Sequence, residues 1–182
     1  MTVPRVALLT GRSDPVRTGL SQAQAEFLDA VTPPGIVAIR DGFPWIGGPP
    51  EVAVPLPLAA WRNAVQWRAA HSGAARADIS TRLHNIAGGR LAIVTGSCGL
   101  DLLRCGWVEG ASQLVIALGP VIPQRPFLTG VHLVTVIGRR DMLSRALHRM
   151  PPDISVPCHH LGYWACSETR EAVAAVLRGW LD

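Results

Sequence analysis

Three side chains of this chain stand where apolar runs end abruptly, and their types suit chemistry. The first is Ser97, in Arg90-Leu-Ala-Ile-Val-Thr-Gly-Ser-Cys-Gly-Leu-Asp-Leu-Leu103. A β-branched run stops there at Gly96-Ser97-Cys98-Gly99 and passes straight into helix-compatible sequence. A serine on such a strand-to-helix turn holds its hydroxyl clear of the backbone, and small neighbours allow the sharp bend. The pattern for that turn is G-x-S-x-G; Gly99 fills the second glycine position and Thr95 stands in the first. The second side chain is Asp141, closing Val131-His-Leu-Val-Thr-Val-Ile-Gly-Arg-Arg-Asp141. The third is one of the paired histidines His159 and His160, in Ile154-Ser-Val-Pro-Cys-His-His-Leu-Gly-Tyr163. A serine hydroxyl is a poor nucleophile at neutral pH and needs an adjacent base. An imidazole supplies one, and a carboxylate fixes its tautomer. Each residue also has a purely structural use. Ser97 suits a helix N-cap, Asp141 could cap a helix over 142–150, and a histidine can be a hydrogen-bonded core residue. Cys98 is a rival nucleophile, but shifting the turn by one residue puts Leu100 where a small side chain is needed.

The elements that must position these groups follow from hydrophobic patterning. Strands are expected at 5–10, 35–40, 90–95, 113–119, 131–137 and 154–156, from short β-branched runs bounded by turn residues. Helices are expected at 20–31, with Ser21 as cap, at 58–86 with a break near Ser72-Gly73, from 100 to 105, and at 170–181. In the last, Val173, Val176, Leu177 and Trp180 share one side. Strand–helix alternation of this kind predicts an α/β fold with a doubly wound, mostly parallel six-stranded sheet. Each candidate group falls at the C-terminal end of a predicted strand, where open α/β sheets place their ligands. The stretch 41–57 is rich in proline and glycine and can be neither helix nor central strand. Its Phe43, Trp45 and Ile46 are expected to form a pocket rim or to cover the core.

Composition bounds the rest. The 182 residues are 48% hydrophobic and only 16% charged, which suits a sheet buried on both faces within a single domain, 1–182. All 17 basic residues are arginine, scattered except for Arg139-Arg140, so the net charge of +4 makes no basic stripe for nucleic acid. No apolar run approaches the roughly 20 residues of a membrane span. The N-terminus has no basic region followed by an apolar stretch, and the expected location is cytoplasmic. The four cysteines (98, 105, 158 and 166) form no C-x-x-C pair, so free thiols and no metal are expected. Cys158-His159-His160 carries ligand types without the usual ligand spacing.

With these residues in view, the chain resembles the α/β-hydrolase superfamily, as a small, capless, serine hydrolase-like member. The resemblance runs through essentially the whole sequence. It is carried by Val94-Thr-Gly-Ser-Cys-Gly99, by Ile137-Gly-Arg-Arg-Asp141, similar to the family's acid turn, and by His159-His-Leu-Gly162, similar to its histidine loop. The order serine, acid, histidine is the family's, unlike those of chymotrypsin and subtilisin. The resemblance implies an α/β-hydrolase-like three-layer sandwich. It also implies Ser97 as nucleophile, Asp141 as orienting acid and His160, followed by Leu161-Gly162, as general base. It implies an oxyanion hole from the backbone N–H groups of Cys98 and Arg12, because Thr10-Gly11-Arg12 occupies the place of the family's His-Gly-x. Phe43 and Trp45 would line the substrate site together with 121–127. The family's first hairpin has no counterpart, and the fourth-to-fifth strand connection is too short for a helical cap. The expected function is cleavage of a carboxylic ester or thioester through an acyl-enzyme, on a small acyl substrate and without a cofactor. The alternative is a non-catalytic or acyl-transferring protein of the same fold that binds a small molecule or a partner, which Thr95 and the trimmed N-terminus favour.

Overall fold

The computed structural model describes residues 3–11, 16–17, 19–40, 42–43, 48–50, 52, 58, 61–62, 64–65, 68, 71–86, 89–110, 113–122, 126 and 128–181. Six strands make one sheet: β1 (Arg5–Thr10), β2 (Val37–Ile39), β3 (Leu91–Gly96), β4 (Leu114–Leu118), β5 (His132–Gly138) and β6 (Ile154–Val156). Their order is β2-β1-β3-β4-β5-β6 and every neighbouring pair is parallel. Strand order reverses at β1, so β1 and β3 run side by side with Thr10 opposite Gly96. Such a reversal leaves a crevice beyond the C-terminal strand ends, on which the turn after β3 opens.

Alternation along the strands splits the core in two. Val6, Leu8, Ala92, Val94, Ile116 and Val136 face one side, where α1 (Gln22–Val31) adds Phe27 and Leu28. Ala7, Leu9, Ile93, Val115 and Leu133 face the other, where α2 (Gly73–Ile86) adds Leu83 and α3 (Gly99–Cys105) adds Leu100, Leu102 and Leu103. The central strands are buried on both faces and therefore read as continuous apolar runs. Two further helices are α4 (Met142–Leu147) and α5 (Ser167–Leu181); the latter lies on the α1 side through Val173 and Leu177. The sheet is wholly parallel, where mostly parallel was expected.

Several boundaries differ for local reasons. Helix α1 starts at Gln22 because Ser21 closes a capping box with Gln24. Helix α4 stops at Leu147 rather than 150, since His148 turns extended ahead of Pro151-Pro152. The expected break in the 58–86 helix lies at His71-Ser72; described residues between 58 and 68 are helical, yet Trp61 and Val65 are exposed. Between β4 and β5 the described residues contain no helix. No helix among the described residues is long and apolar enough to cross a membrane.

Candidate active site

The turn after β3 is built around one unusual backbone conformation. Ser97 has a φ of 53°, and no other non-glycine among the described residues has a positive φ. The turn is pinned to the end of β4 on both sides: the Ser97 N–H donates to the Leu118 carbonyl, and its carbonyl accepts from the Val121 N–H, each at 3.1 Å. Gly99 then lets α3 start hard against β1, where a Cβ would run into the Leu9 carbonyl. Thr95, two positions before Ser97, is a regular, buried residue of β3. The left-handed conformation falls on Ser97 alone, so a threonine in the first pattern position asks nothing unusual of the backbone. For an L-residue that conformation costs roughly 1–2 kcal/mol. Ser97→Gly is therefore expected to unfold at a higher temperature than Ser97→Ala, by about 1 kcal/mol of stability. Both lose the hydroxyl, so equal melting temperatures would show that the turn stores no strain.

The hydroxyl so presented meets an imidazole 63 residues further on: Ser97 Oγ lies 3.0 Å from His160 Nε2. His160, rather than the exposed His159, makes this approach. The other ring nitrogen, Nδ1, lies 3.1 and 3.0 Å from Asp141 Oδ1 and Oδ2 and 3.3 Å from the Ser144 hydroxyl. An Nδ1–H facing a carboxylate leaves Nε2 with its lone pair toward Ser97.

Asp141 is completely buried and fully engaged. Its Oδ1 accepts from the Ser144 N–H at 2.9 Å, which makes it the N-cap of α4. Its Oδ2 accepts from the Tyr163 hydroxyl at 2.7 Å, and that hydroxyl accepts in turn from the Gly138 N–H at 2.7 Å. Gly119, with a φ of 52°, makes room for this cluster; a Cβ there would lie 2.8 Å from Asp141 Oδ2 and closer still to the Tyr163 ring. Burial alone would raise the Asp141 pKa, but the hydrogen bonds from His160, Ser144 and Tyr163 outweigh it and hold the carboxyl well below the usual carboxylate range. Burial pushes the Tyr163 phenol up, so it stays a donor.

A depressed folded-state pKa gives stability that is complete above the unfolded value of about 3.9 and is lost as pH falls through the folded one. The melting temperature of the wild type should therefore fall steeply below about pH 4. Asp141→Asn, which has no such proton to take up, should fall less steeply. Parallel curves for the two proteins between neutral and acid pH would remove Asp141 from the acid response.

The other expected site residues fall as follows. Cys98 opens α3 as its N-cap with its side chain buried, and that burial pushes the thiol up to about 11. A thiol so protonated is a weak rival to Ser97. Arg12 and Trp45 lie outside the described residues, as do Ile46 and part of 121–127. Phe43, expected to form the rim of the site or to cover the core, is 2% exposed in the core cluster that contains Leu9, Ile93 and Leu100. Burying a phenyl ring is worth about 2–3 kcal/mol, and this stretch uses its ring that way. Ser144 and Tyr163 escaped the sequence reading. Tyr163 is the chain's one tyrosine, three positions after His160, and Ser144 stands at the third helical position after an aspartate cap; both patterns were visible.

Potential metal ligands converge elsewhere, at His71, Asp101 and Cys105, whose ligand atoms lie within 4.8 Å of one another. Asp101 is already met there by Arg104 at 2.8 Å and by His71 at 3.4 Å. Among the described residues this is the one such grouping, and the Cys158-His159-His160 run forms none.

No family model matches this chain, and no curated protein matches it in sequence. Solved structures do match in shape. One is XC6422 from Xanthomonas campestris, a serine hydrolase without a lid. It is 16% identical with a TM-score of 0.52, over 99% of this chain and 84% of that one. Another is an acetyl xylan esterase, 13% identical with a TM-score of 0.51, over the full length of both chains. The fold is α/β-hydrolase-like. At these identities the likeness is one of fold, and what the chain does must be argued from its own site.

Proposed function

We propose that this α/β-hydrolase-like protein is a serine hydrolase that cleaves a carboxylic ester or thioester through an acyl-enzyme. The observation that carries the reading is the continuous line from Ser97 Oγ through the His160 ring to a buried, ionised Asp141, with steps of 3.0 and 3.0 Å. In this reading Ser97 Oγ attacks the acyl carbon while His160 Nε2 takes its proton. The tetrahedral oxyanion is held by the N–H of Cys98 and by that of Arg12. His160 then returns the proton to the departing alcohol or thiol. Water deacylates the enzyme by the same steps in reverse roles. Asp141 stays ionised throughout and stabilises the imidazolium. Each backbone donor at the oxyanion is worth roughly 10²–10³ in rate.

Three supports are independent of one another. The strained backbone falls on the serine that meets His160 Nε2, and strain of this kind gathers at functional sites. The carboxylate is held ionised by three separate donors. Finally, two solved structures of the same fold are a serine hydrolase and an acetyl xylan esterase. The test is labelling with a fluorophosphonate probe, which reacts with an activated serine. The wild type should be labelled stoichiometrically and Ser97→Ala not at all. A wild type that resists the probe while fully folded would favour the alternative, a non-catalytic protein that binds a small molecule or partner.

A further inference from the structure

Outside the Ser97–His160–Asp141 cluster, one cavity of about 500 Å³ is lined by groups that the proposed chemistry does not use. It opens between α4, the 148–152 segment and the strands β5 and β6. Its cationic side is made by Arg139, Arg145 and Arg149, and its apolar side by Ile137, Met150 and the Pro151-Pro152 pair. No acidic residue lines it among the described residues. The nearest acid in sequence, Asp153, is turned to β5, where its Oδ2 accepts from the N–H and the hydroxyl of Thr135, each at 2.7 Å. Arg145 is steadied by a 2.9 Å hydrogen bond to the Arg139 carbonyl.

A further lining residue is His148. It lines the same cavity, is only 3% exposed, and has both ring nitrogens buried without a hydrogen-bond partner. The large majority of buried polar atoms in folded proteins are paired, so two such atoms on one ring need an explanation. Its backbone is fixed, the N–H donating at 2.7 Å to the Ser144 carbonyl as α4 ends. The ring is thus held in place at the inner wall of the cavity, with two nitrogens that no protein group among the described residues satisfies.

We propose that this cavity is a binding site for a phosphomonoester, a small organic molecule carrying one phosphoryl group. Guanidinium groups match phosphoryl oxygens in pairs, remain charged at every working pH, and exceed in number what a single carboxylate would use. A turn of the His148 ring, whose buried nitrogens have no protein partner, would bring one further donor to the cavity wall. The apolar side accommodates the organic part, and the volume falls within the roughly 300–1,000 Å³ of small-molecule sites. None of Ser97, Asp141 and His160 lines the cavity, so the site stands apart from the proposed hydrolase reading.

Calorimetric titration of the full chain with phenyl phosphate, inorganic phosphate and benzyl alcohol tests this. Phenyl phosphate should bind at one site, inorganic phosphate more weakly, and benzyl alcohol not at all. Arg149→Glu, an exposed position, should weaken phenyl phosphate by roughly tenfold or more, as expected for losing a hydrogen bond between charged groups. Ser97→Ala should bind as the wild type does. Because His148→Leu could fail to fold, the His148 ring is followed in the unaltered chain by its proton resonances, which should shift as phenyl phosphate saturates. Equal binding by wild type and Arg149→Glu, loss of binding in Ser97→Ala, or an unmoved His148 resonance would overturn the proposal. So would inorganic phosphate binding as tightly as phenyl phosphate. Capture by phosphatidate vesicles without binding of phenyl phosphate would assign the arginines to a lipid surface and overturn it too.

Discussion

Ser97→Ala is expected to abolish cleavage of p-nitrophenyl acetate and of acyl thioesters, with a fall in turnover on the order of 10⁴–10⁶-fold. The hydroxyl 3.0 Å from His160 Nε2 is the proposed nucleophile, and an alanine leaves the base with no proton to take. The fold should survive, because the turn is tied to β4 through the backbone N–H and carbonyl of residue 97, which the substitution keeps. The informative partner is Cys98→Ala. Cys98 is buried, its thiol is raised to about 11, and in the proposed mechanism it supplies only a backbone N–H. Its loss should cost little activity. Steady-state rates on acetyl and butyryl esters check both variants. Equal rates for wild type and Ser97→Ala would end the serine hydrolase reading, and loss confined to Cys98→Ala would move the nucleophile by one residue.

Asp141→Asn should lower turnover by roughly 10³–10⁴-fold while leaving KM within a small factor. An asparagine keeps the shape, and as a good N-cap it can still accept from the Ser144 N–H. It no longer offers a negative charge to the imidazolium, and its amide can present a donor to His160 Nδ1 and favour the wrong tautomer. The split between the two constants separates this from a structural role. A merely destabilised protein would lose active molecules, and activity per folded molecule, measured by active-site titration, would be unchanged. Full activity per folded molecule in Asp141→Asn would remove the acid from the mechanism.

How much of this was legible in the sequence varies with the physics behind each part. The strands were, because each of the central ones is buried on both faces and so reads as an unbroken β-branched run, as in Leu91–Gly96. The positions of Ser97 and Asp141 were, since each follows such a run at a glycine-marked turn, and the histidine pair follows the short strand 154–156. Which histidine turns inward was not visible in the residues themselves; it depends on how 157–163 comes back over the end of β5. For Phe43, rim and core cover both stood open, because local composition says that a stretch is irregular but not which of its rings reaches the core. Ser144 and Tyr163 were missed for a related reason. That their hydroxyls converge on one carboxylate and its imidazole is a tertiary event, although the positions themselves, three after Asp141 and three after His160, could be read locally. His148 belongs with them, since its burial follows from the turn into Pro151-Pro152.

Asp141 accepts from a helix N–H with one oxygen and from a tyrosine hydroxyl with the other, while facing the imidazole with both. If the proposed mechanism holds, two selective pressures converge on one carboxylate. Were the chemistry to fall idle in some descendant, Ser97 and His160 would be free to drift, and the costly backbone at 97 would even favour a glycine. The acid would not be released, because α4 would still need its first turn closed and the Tyr163 hydroxyl its acceptor. Decay of such a site is expected to run in one order, serine and histidine first and aspartate last.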